Sequence, residues 1–465
     1  MFDSTDYPNP EGEEFNSDKV KEQNLNARPF DDSKLKVSFK DEDVFDAFDK
    51  SISEYQPDLI LMSCTEDLHP IGMDLLEKVN VKKFGIPVQV GGVFPTFAPE
   101  IVISHPQVDM VCRGEGEYVV SELADRIKNG LPYDDIPGLW IKSGDKIIRN
   151  SLPPLVDIDN NPFLDLSIFA EGRLYRPMQG KVWRMFPLET HRGCPYTCTY
   201  CNSPSQQRLY QNEIGEKFFR MKSIDRIREE IIYFIEECKA EAFYLWADTF
   251  LSLPEKKFNE YVEMYSEFNL PFWCQSRPEL IKSEKIKKLM DIGLFRMAVG
   301  IEHGNEEFRR SILRRNVSNK KIIDSMQVLT DLELPYSVNN IIGFPYETRE
   351  LTFDTIELNR KHQAEGINAY SFSPFHGTPL RDISEKAGFI DPCVIARSVT
   401  KPTLLRMPQY TPEQIEGMRR CFVLYVKFPK DRWSEIEKAE KFTPEGNEKW
   451  SELINECQVK YMDTW

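Results

Sequence analysis

Apolar positions along this chain switch between two periods, and the switches mark its elements. Residues 8–45 are polar and acidic, with one apolar interruption at Leu35–Phe39. From Val44 to Tyr55 the apolar positions recur at helical spacing, and Asp58–Ser63 (DLILMS) is a short run suited to a buried parallel strand. A helix over 73–79 leads to a second run, Ile86–Val90, which ends in Gly91-Gly92. A third, Val108–Cys112, stops at Arg113 and the loop Gly114-Glu115-Gly116-Glu117. Strands alternating with helices at this spacing predict βαβ units and a parallel sheet. The glycines follow the strands' C-terminal ends, the edge at which open α/β sheets bind ligands. FDST after Met1 resembles the end of a strand. The expectation for residues 1–135 is therefore an N-terminally incomplete, doubly wound sheet.

Residues 136–180 read as a hairpin (139–141 and 146–149) and a linker with Pro153, Pro154 and Pro162. A second βα series then begins. Its predicted strands are 185–190, 242–246, 272–275, 296–301, 336–342 and 369–375, and its helices include 224–237, 255–268, 284–292 and 319–332. Six such units predict an α/β domain over 181–388 built as an open or partial (β/α)6 barrel. Residues 389–465 are expected to be helical, with Pro412 placed to open a helix at Glu413.

Composition narrows the function classes. The 465 residues hold 59 Lys and Arg against 75 Asp and Glu, a net charge of −16, so no nucleic-acid partner is expected. No apolar run approaches the roughly 18 residues that span a bilayer, so no transmembrane segment is expected. The start, MFDSTDYPNPEGEE, has no signal-peptide pattern. Ten cysteines without such a signal predict reduced thiols in a cytoplasmic protein, where clustered ones serve metal binding or catalysis.

Three of them are clustered. RGCPYTCTYC places Cys194, Cys198 and Cys201 directly after a predicted strand. Three thiolates this close can wrap one iron–sulfur cluster and leave one iron without a protein ligand. An open coordination position is also what catalytic metal sites keep. The plainer alternatives are a zinc site completed by His191, making a non-catalytic stapled module, or three unrelated core cysteines. Zinc knuckles usually come as paired Cys-x-x-Cys, and no second pair exists here.

The spacing Cys-x3-Cys-x2-Cys, with Tyr200 before the third cysteine, resembles the signature of radical S-adenosylmethionine (SAM) enzymes. The resemblance implies a [4Fe–4S] cluster whose open iron chelates SAM, cleavage of SAM to a 5′-deoxyadenosyl radical, and an electron donor such as flavodoxin or ferredoxin. It extends to later strand ends. Asp248 in WADTF falls where the family approaches the SAM amino group, and Glu302 where a polar residue meets the ribose. Arg315 is placed to pair with the SAM carboxylate through a bidentate fork. Ile342 and Gly343, followed by Phe344-Pro345 and Glu347, resemble the segment beside adenine, and Gly377-Thr378-Pro379 follows the sixth strand. Taken singly, Asp248 and Glu347 read as helix caps or solvated carboxylates, and Glu302 with Arg315 as a surface pair. Their common placement at strand ends, in chain order, argues for one site. His191 and His376 read as structural histidines, and Trp246 as barrel core.

The front series resembles the cobalamin-binding-like Rossmann domain that precedes many radical SAM barrels. Ser63-Cys64-Thr65, Gly91-Gly92-Val93 and Gly114-Glu115-Gly116 carry the resemblance, which implies a cobalamin site along them. Asp67-Leu68-His69-Pro70-Ile71-Gly72 fits the Asp-x-His-x-x-Gly lower-ligand motif, in which His69 would coordinate cobalt. A loop histidine before Pro70 is the plainer reading, and cobalamin is expected to be held weakly if the sheet is incomplete. Together the resemblances predict activation of a C–H bond in a small metabolite, lipid or pigment precursor. Methyl transfer leads, and oxidative cyclisation without methyl transfer is the enzymatic rival. Replacing Cys194, Cys198 and Cys201 together with alanine is expected to abolish the broad visible absorption of an iron–sulfur centre in anaerobically purified protein. A triple variant that keeps its full cluster would refute the ligand assignment.

Overall fold

The computed structural model describes residues 1–4, 7, 22, 25, 28–35 and 40–461. Of the apolar interruption at 35–39, Leu35 is buried and the rest lies outside the described residues. Residues 2–4 join no strand; Phe2 packs on Tyr7 and Phe48 instead.

Short runs rich in Val, Ile and Met form the front sheet because both faces of a parallel sheet are covered. β1 (Ile60–Ser63), β2 (Val88–Gly91) and β3 (Met110–Cys112) pair in parallel, in that order. The hairpin assigned to the connecting segment does something else. Its strands β4 (Leu139–Ser143) and β5 (Lys146–Arg149) add to β3 antiparallel and complete a five-stranded sheet. Among the described residues β1 forms one edge of this sheet, with Leu61 half exposed.

The second sheet has seven strands in the order β14-β13-β12-β11-β10-β7-β6. β6 (Tyr175–Met178) pairs antiparallel with β7 (Lys181–Glu189), and a ribbon of β8 (His191–Arg192) and β9 (Arg220–Met221) flanks the cysteine loop. β10 (Ala242–Trp246), β11 (Phe272–Ser276), β12 (Leu294–Glu302), β13 (Tyr336–Ile342) and β14 (Gly366–Ser371) continue in parallel from β7. These are the six parallel strands expected, curled into a partial barrel. Along β12, Met297, Val299 and Ile301 are buried, while Arg296, Ala298, Gly300 and Glu302 take the other face. The tail is helical, as expected, and its helices bury Ile415, Phe422 and Cys457 in the same core as the strands. Thr411 and Gln414 form a capping box around Pro412.

Three histidines, His69 and His191 buried and His362 half-buried, are held neutral. Burial pushes His69, His191 and His362 down to about 4. A histidine lowered in the fold but ordinary in the unfolded chain contributes stability that is complete above about pH 6.5. That stability is lost as pH falls toward 4, because the unfolded state takes up the proton first. His362→Gln is expected to reduce the loss of stability between pH 7 and pH 5 by about 2 kcal/mol, measured as urea midpoints at the two pH values. An unchanged difference would show that His362 carries none of it.

Candidate functional site

The two sheets meet at the C-terminal ends of their strands, and buried carboxylates make the joint. Glu66, 4% exposed after β1, accepts hydrogen bonds from His376 N (2.8 Å) and Ala396 N (2.7 Å) and pairs with His376 Nδ1 at 2.6 Å. Glu115, also buried, accepts from Val156 N at 2.8 Å and pairs with Arg192 at 2.8 Å and with Arg220. Tyr210 Oη receives the Glu115 backbone N–H at 2.8 Å. Both carboxylates are thus engaged from outside the front domain, as buried charge requires.

Between these two anchors lies a cavity of 520 Å³. Thr65, Glu66, Asp67, Val93 and Phe94 line it from the front domain; Cys201, Ser203, Trp246 and Asp248 face them from the barrel. Trp246 is 59% exposed, so the sequence expectation of a core tryptophan is wrong. It ends β10 on the sheet face turned to the cavity. Asp248 accepts a hydrogen bond from Ser203 Oγ at 2.5 Å, and burial raises its carboxyl.

The cysteine loop is pinned by Thr199. Its Oγ1 donates to Ile312 O (2.6 Å), its N–H to Leu313 O (3.3 Å), and its carbonyl accepts from Leu380 N (3.1 Å). Burial pushes the Cys194 thiol up to about 11 and that of Cys201 to about 12, so each is protonated until a metal replaces the proton. Arg277 Nη1 lies 3.1 Å from Cys198 Sγ, and its guanidinium sits 3.8 Å from the centre of the Tyr196 ring. A cation donating to a thiol is well suited to a sulfur that carries negative charge on a metal. Among the described residues no three His, Cys, Asp or Glu side chains are gathered around a single-ion position. Three cysteine thiols gathered in one loop suit a cluster that keeps one iron open, and the sequence holds no second Cys-x-x-Cys pair to complete a zinc knuckle.

Behind this loop is a second polar centre. Arg315, 3% exposed, donates from Nη1 to Tyr200 Oη (2.9 Å) and Glu302 Oε1 (3.0 Å), and from Nη2 to Gly300 O (2.7 Å). Burial pulls the Glu302 carboxyl up, and Arg315 opposes it. Glu302 has φ +69°, a left-handed backbone at a register shift between β12 and β13, and it folds back over its own strand. A Cβ at Gly300 would stand 2.3 Å from Glu302 Oε1, so a larger residue there would make that carboxylate shift. Strain of this kind, of about 1–3 kcal/mol, is held where function uses it.

The remaining site residues divide. Ile342 is buried in the core, because the alternation of β13 turns Ile341 to the open face and Ile342 away from it. Gly343 N–H (2.7 Å) and Phe344 N–H (2.9 Å) donate to Glu347 Oε2, so Glu347 shapes the turn from within. Ser63 and Gly91 pair at the ends of β1 and β2, and Thr65 reaches the cavity. Gly92 (φ +112°) and Gly114 (φ +83°) meet protein rather than open space. A Cβ would strike Cys64 O at 2.5 Å from the first and Tyr210 Oη at 2.3 Å from the second. Gly116 caps the helix Glu117–Lys128. Glu115 is an anchor between domains. His69 is 4% exposed, both ring nitrogens lack a partner, and its ring packs edge-on against Phe94 without lining the cavity. Arg277, absent from the residues expected at the site, directly follows β11, at the same strand-end edge as Asp248 and Glu302.

The family description "Radical SAM superfamily" matches residues 188–358, and "B12 binding domain" matches residues 27–124. The chain is similar to an uncharacterized methyltransferase of Pyrococcus horikoshii, 25% identical over 390 residues, which are 82% of this chain and 81% of that protein. It is also similar to the anaerobic magnesium-protoporphyrin IX monomethyl ester cyclase of Cereibacter sphaeroides, 24% identical over 77% of this chain. The chain spans only 59% of that cyclase. Among solved structures, the cobalamin-dependent SAM radical enzyme OxsB with aqua-cobalamin bound shares the fold at TM-score 0.63 and 15% identity. That likeness covers 89% of this chain and 65% of OxsB. The cofactors of the two matched domains are a [4Fe–4S] cluster with SAM, and cobalamin. The chain thus carries a radical SAM domain with a B12-binding domain ahead of it.

Proposed function

We propose that this enzyme transfers a methyl group to an unactivated carbon of a small molecule. The observation that carries the reading is the shared cavity: front-domain residues Thr65, Asp67 and Val93 face Cys201, Ser203 and Asp248 across one space. A methyl carrier on the front domain and SAM on the barrel would both open onto it. The likeness to a protein named as a methyltransferase supports the same reading.

Cys194, Cys198 and Cys201 would hold three irons of the cluster, which when bound supplies the electron that splits SAM, with a flavodoxin or ferredoxin as the source. Arg277 would steady the charge on Cys198. Glu302, Arg315 and Tyr200 form a prearranged charged pair with a hydroxyl, ready to exchange mutual hydrogen bonds for those of a ligand. Asp248, fixed by Ser203, offers an acceptor on the cavity side. The cavity accounts for Thr65 as a contact of the front-domain ligand. His69 is better read as a packed histidine, since Phe94 lies against it and it does not reach the cavity.

Glu302→Gln and Arg315→Ala are each expected to weaken SAM binding ten- to a hundredfold, about 1.5–3 kcal/mol for a charged hydrogen bond in a closed site. The iron content should be unchanged. Equilibrium dialysis of the reconstituted protein reads both, and unaltered SAM affinity in both variants would remove the pair from the site. Methyl transfer itself is tested without knowing the substrate. Supplied with SAM, a reductant and cobalamin, the enzyme is expected to release S-adenosylhomocysteine as well as 5′-deoxyadenosine. Deoxyadenosine alone would favour the rival reading, a radical cyclisation of the kind named for the Cereibacter sphaeroides relative.

A further inference from the structure

The barrel has a second cavity, of 260 Å³, lined by residues from β11 to β14, the β6–β7 turn and the segment at Arg28. Two arginines converge there on one carboxylate. Arg28 Nη2 lies 2.9 Å from Glu365 Oε1 and Arg296 Nη1 3.1 Å from Glu365 Oε2, while Gln179 Nε2 donates to Oε2 at 3.0 Å. The carboxylate is saturated, and the group keeps one net positive charge. Around the same cavity, four buried polar atoms have no protein partner: Arg28 Nε and Trp273 Nε1 as donors, Gln179 Oε1 and Asn368 Oδ1 as acceptors. Asn368 is 9% exposed, and its amide is fixed by donating to Asn339 Oδ1 at 2.8 Å. A buried polar atom without a partner is costly, so a ligand that satisfies these four gains what they lack in the protein. Burial and, to a smaller degree, the neighbouring Arg28 lower the Arg296 pKa, against the opposing pull of Glu365.

We propose that this cavity is an anion-binding site that takes a carboxylate or phosphate group flanked by N–H or O–H donors. The anion answers the excess guanidinium charge and the orphan donors, and the adjacent N–H or O–H answers the two orphan amide oxygens. Arg296 and Glu302 stand on the same face of β12 six residues apart, roughly 20 Å of strand at about 3.3 Å per residue. Assigning the anion to the substrate rests on the radical chemistry proposed above. On that reading the substrate is an elongated, polar-headed acid, with its charged end in this cavity and its reacting carbon toward the cysteine loop. A purely hydrocarbon lipid end does not suit these amides and guanidinium groups.

The site is tested on the reconstituted full chain by calorimetric titration with inorganic phosphate and with malate at constant ionic strength. Saturable binding of at least one is expected, and which of them binds distinguishes a phosphate from a hydroxy-acid head. Arg296→Gln and Arg28→Gln should each weaken it tenfold or more, and Glu365→Gln, which removes the competing carboxylate, should tighten it. Arg28 lies on the N-terminal segment with a quarter of its side chain exposed, so its variant keeps the test alive if Arg296→Gln fails to fold. Absence of saturable binding by either anion, or equal binding by the arginine variants, would overturn the proposal. The triple cysteine-to-alanine variant should still bind the anion. SAM cleavage by the wild type, measured separately, tells failure of the radical reading apart from failure of this site.

Discussion

A carboxylate taken out of water has to be paired or fully hydrogen-bonded, and that constraint joins the two halves of this enzyme. Glu66 and Glu115 both leave the front sheet at its ligand-binding edge, and neither finds all its partners within its own domain. Glu66 is satisfied by His376 and Ala396, and Glu115 by Arg192, Arg220 and Val156. Each partner follows a strand end of the barrel or lies in a segment packed beside it. The two open edges therefore face each other, and the 520 Å³ cavity is what remains between the anchors. Removing one partner of such a buried pair costs about 3–5 kcal/mol, so the domain arrangement is held firmly by few contacts.

The same economy of charge organises the cysteine loop. Although the chain carries a net −16, Arg277 donates to the Cys198 thiol and Arg315 to Tyr200 of the same loop. Arg315 is held by Glu302, and Glu302 reaches it only through a left-handed backbone turn over Gly300. The barrel thus keeps a strained residue at the end of its fourth parallel strand, where its side chain meets Tyr200 of the cysteine motif through the shared guanidinium. Local strain and long-range pairing are two sides of one arrangement there, with Tyr200 and Arg315 separated by 115 residues.

Much of this was legible in the chain alone. Period-2 and buried runs announced the six barrel strands, since the face of each strand turned into the core has to be apolar. Close spacing within one loop made Cys194, Cys198 and Cys201 visible, and strand-end position picked out Asp248, Glu302 and Arg315. Errors arose where partners are distant. The hairpin at 139–149 looked like a connector, yet it extends the front sheet because β3 needed an antiparallel neighbour. Glycines 92 and 114 looked like openings for a ligand, yet they are tight because Cys64 and Tyr210 fill the space. Ile342 looked like a contact beside adenine, but the alternation of β13 turns its side chain to the core.

What the sequence by itself determined is therefore the local grammar: which segments are strands, which loop gathers three thiols, and which kinds of domain follow each other. Those properties depend on neighbours within a few residues. What only the tertiary structure decided is where each polar group finds its counterpart. That Glu115 anchors rather than binds, that Trp246 stands 59% exposed, and that Arg28 and Arg296 meet over Glu365 are outcomes of long-range packing. The physical reason is desolvation: a charge's partner is chosen by whatever surface excludes water from it, and that surface is assembled from segments hundreds of residues apart.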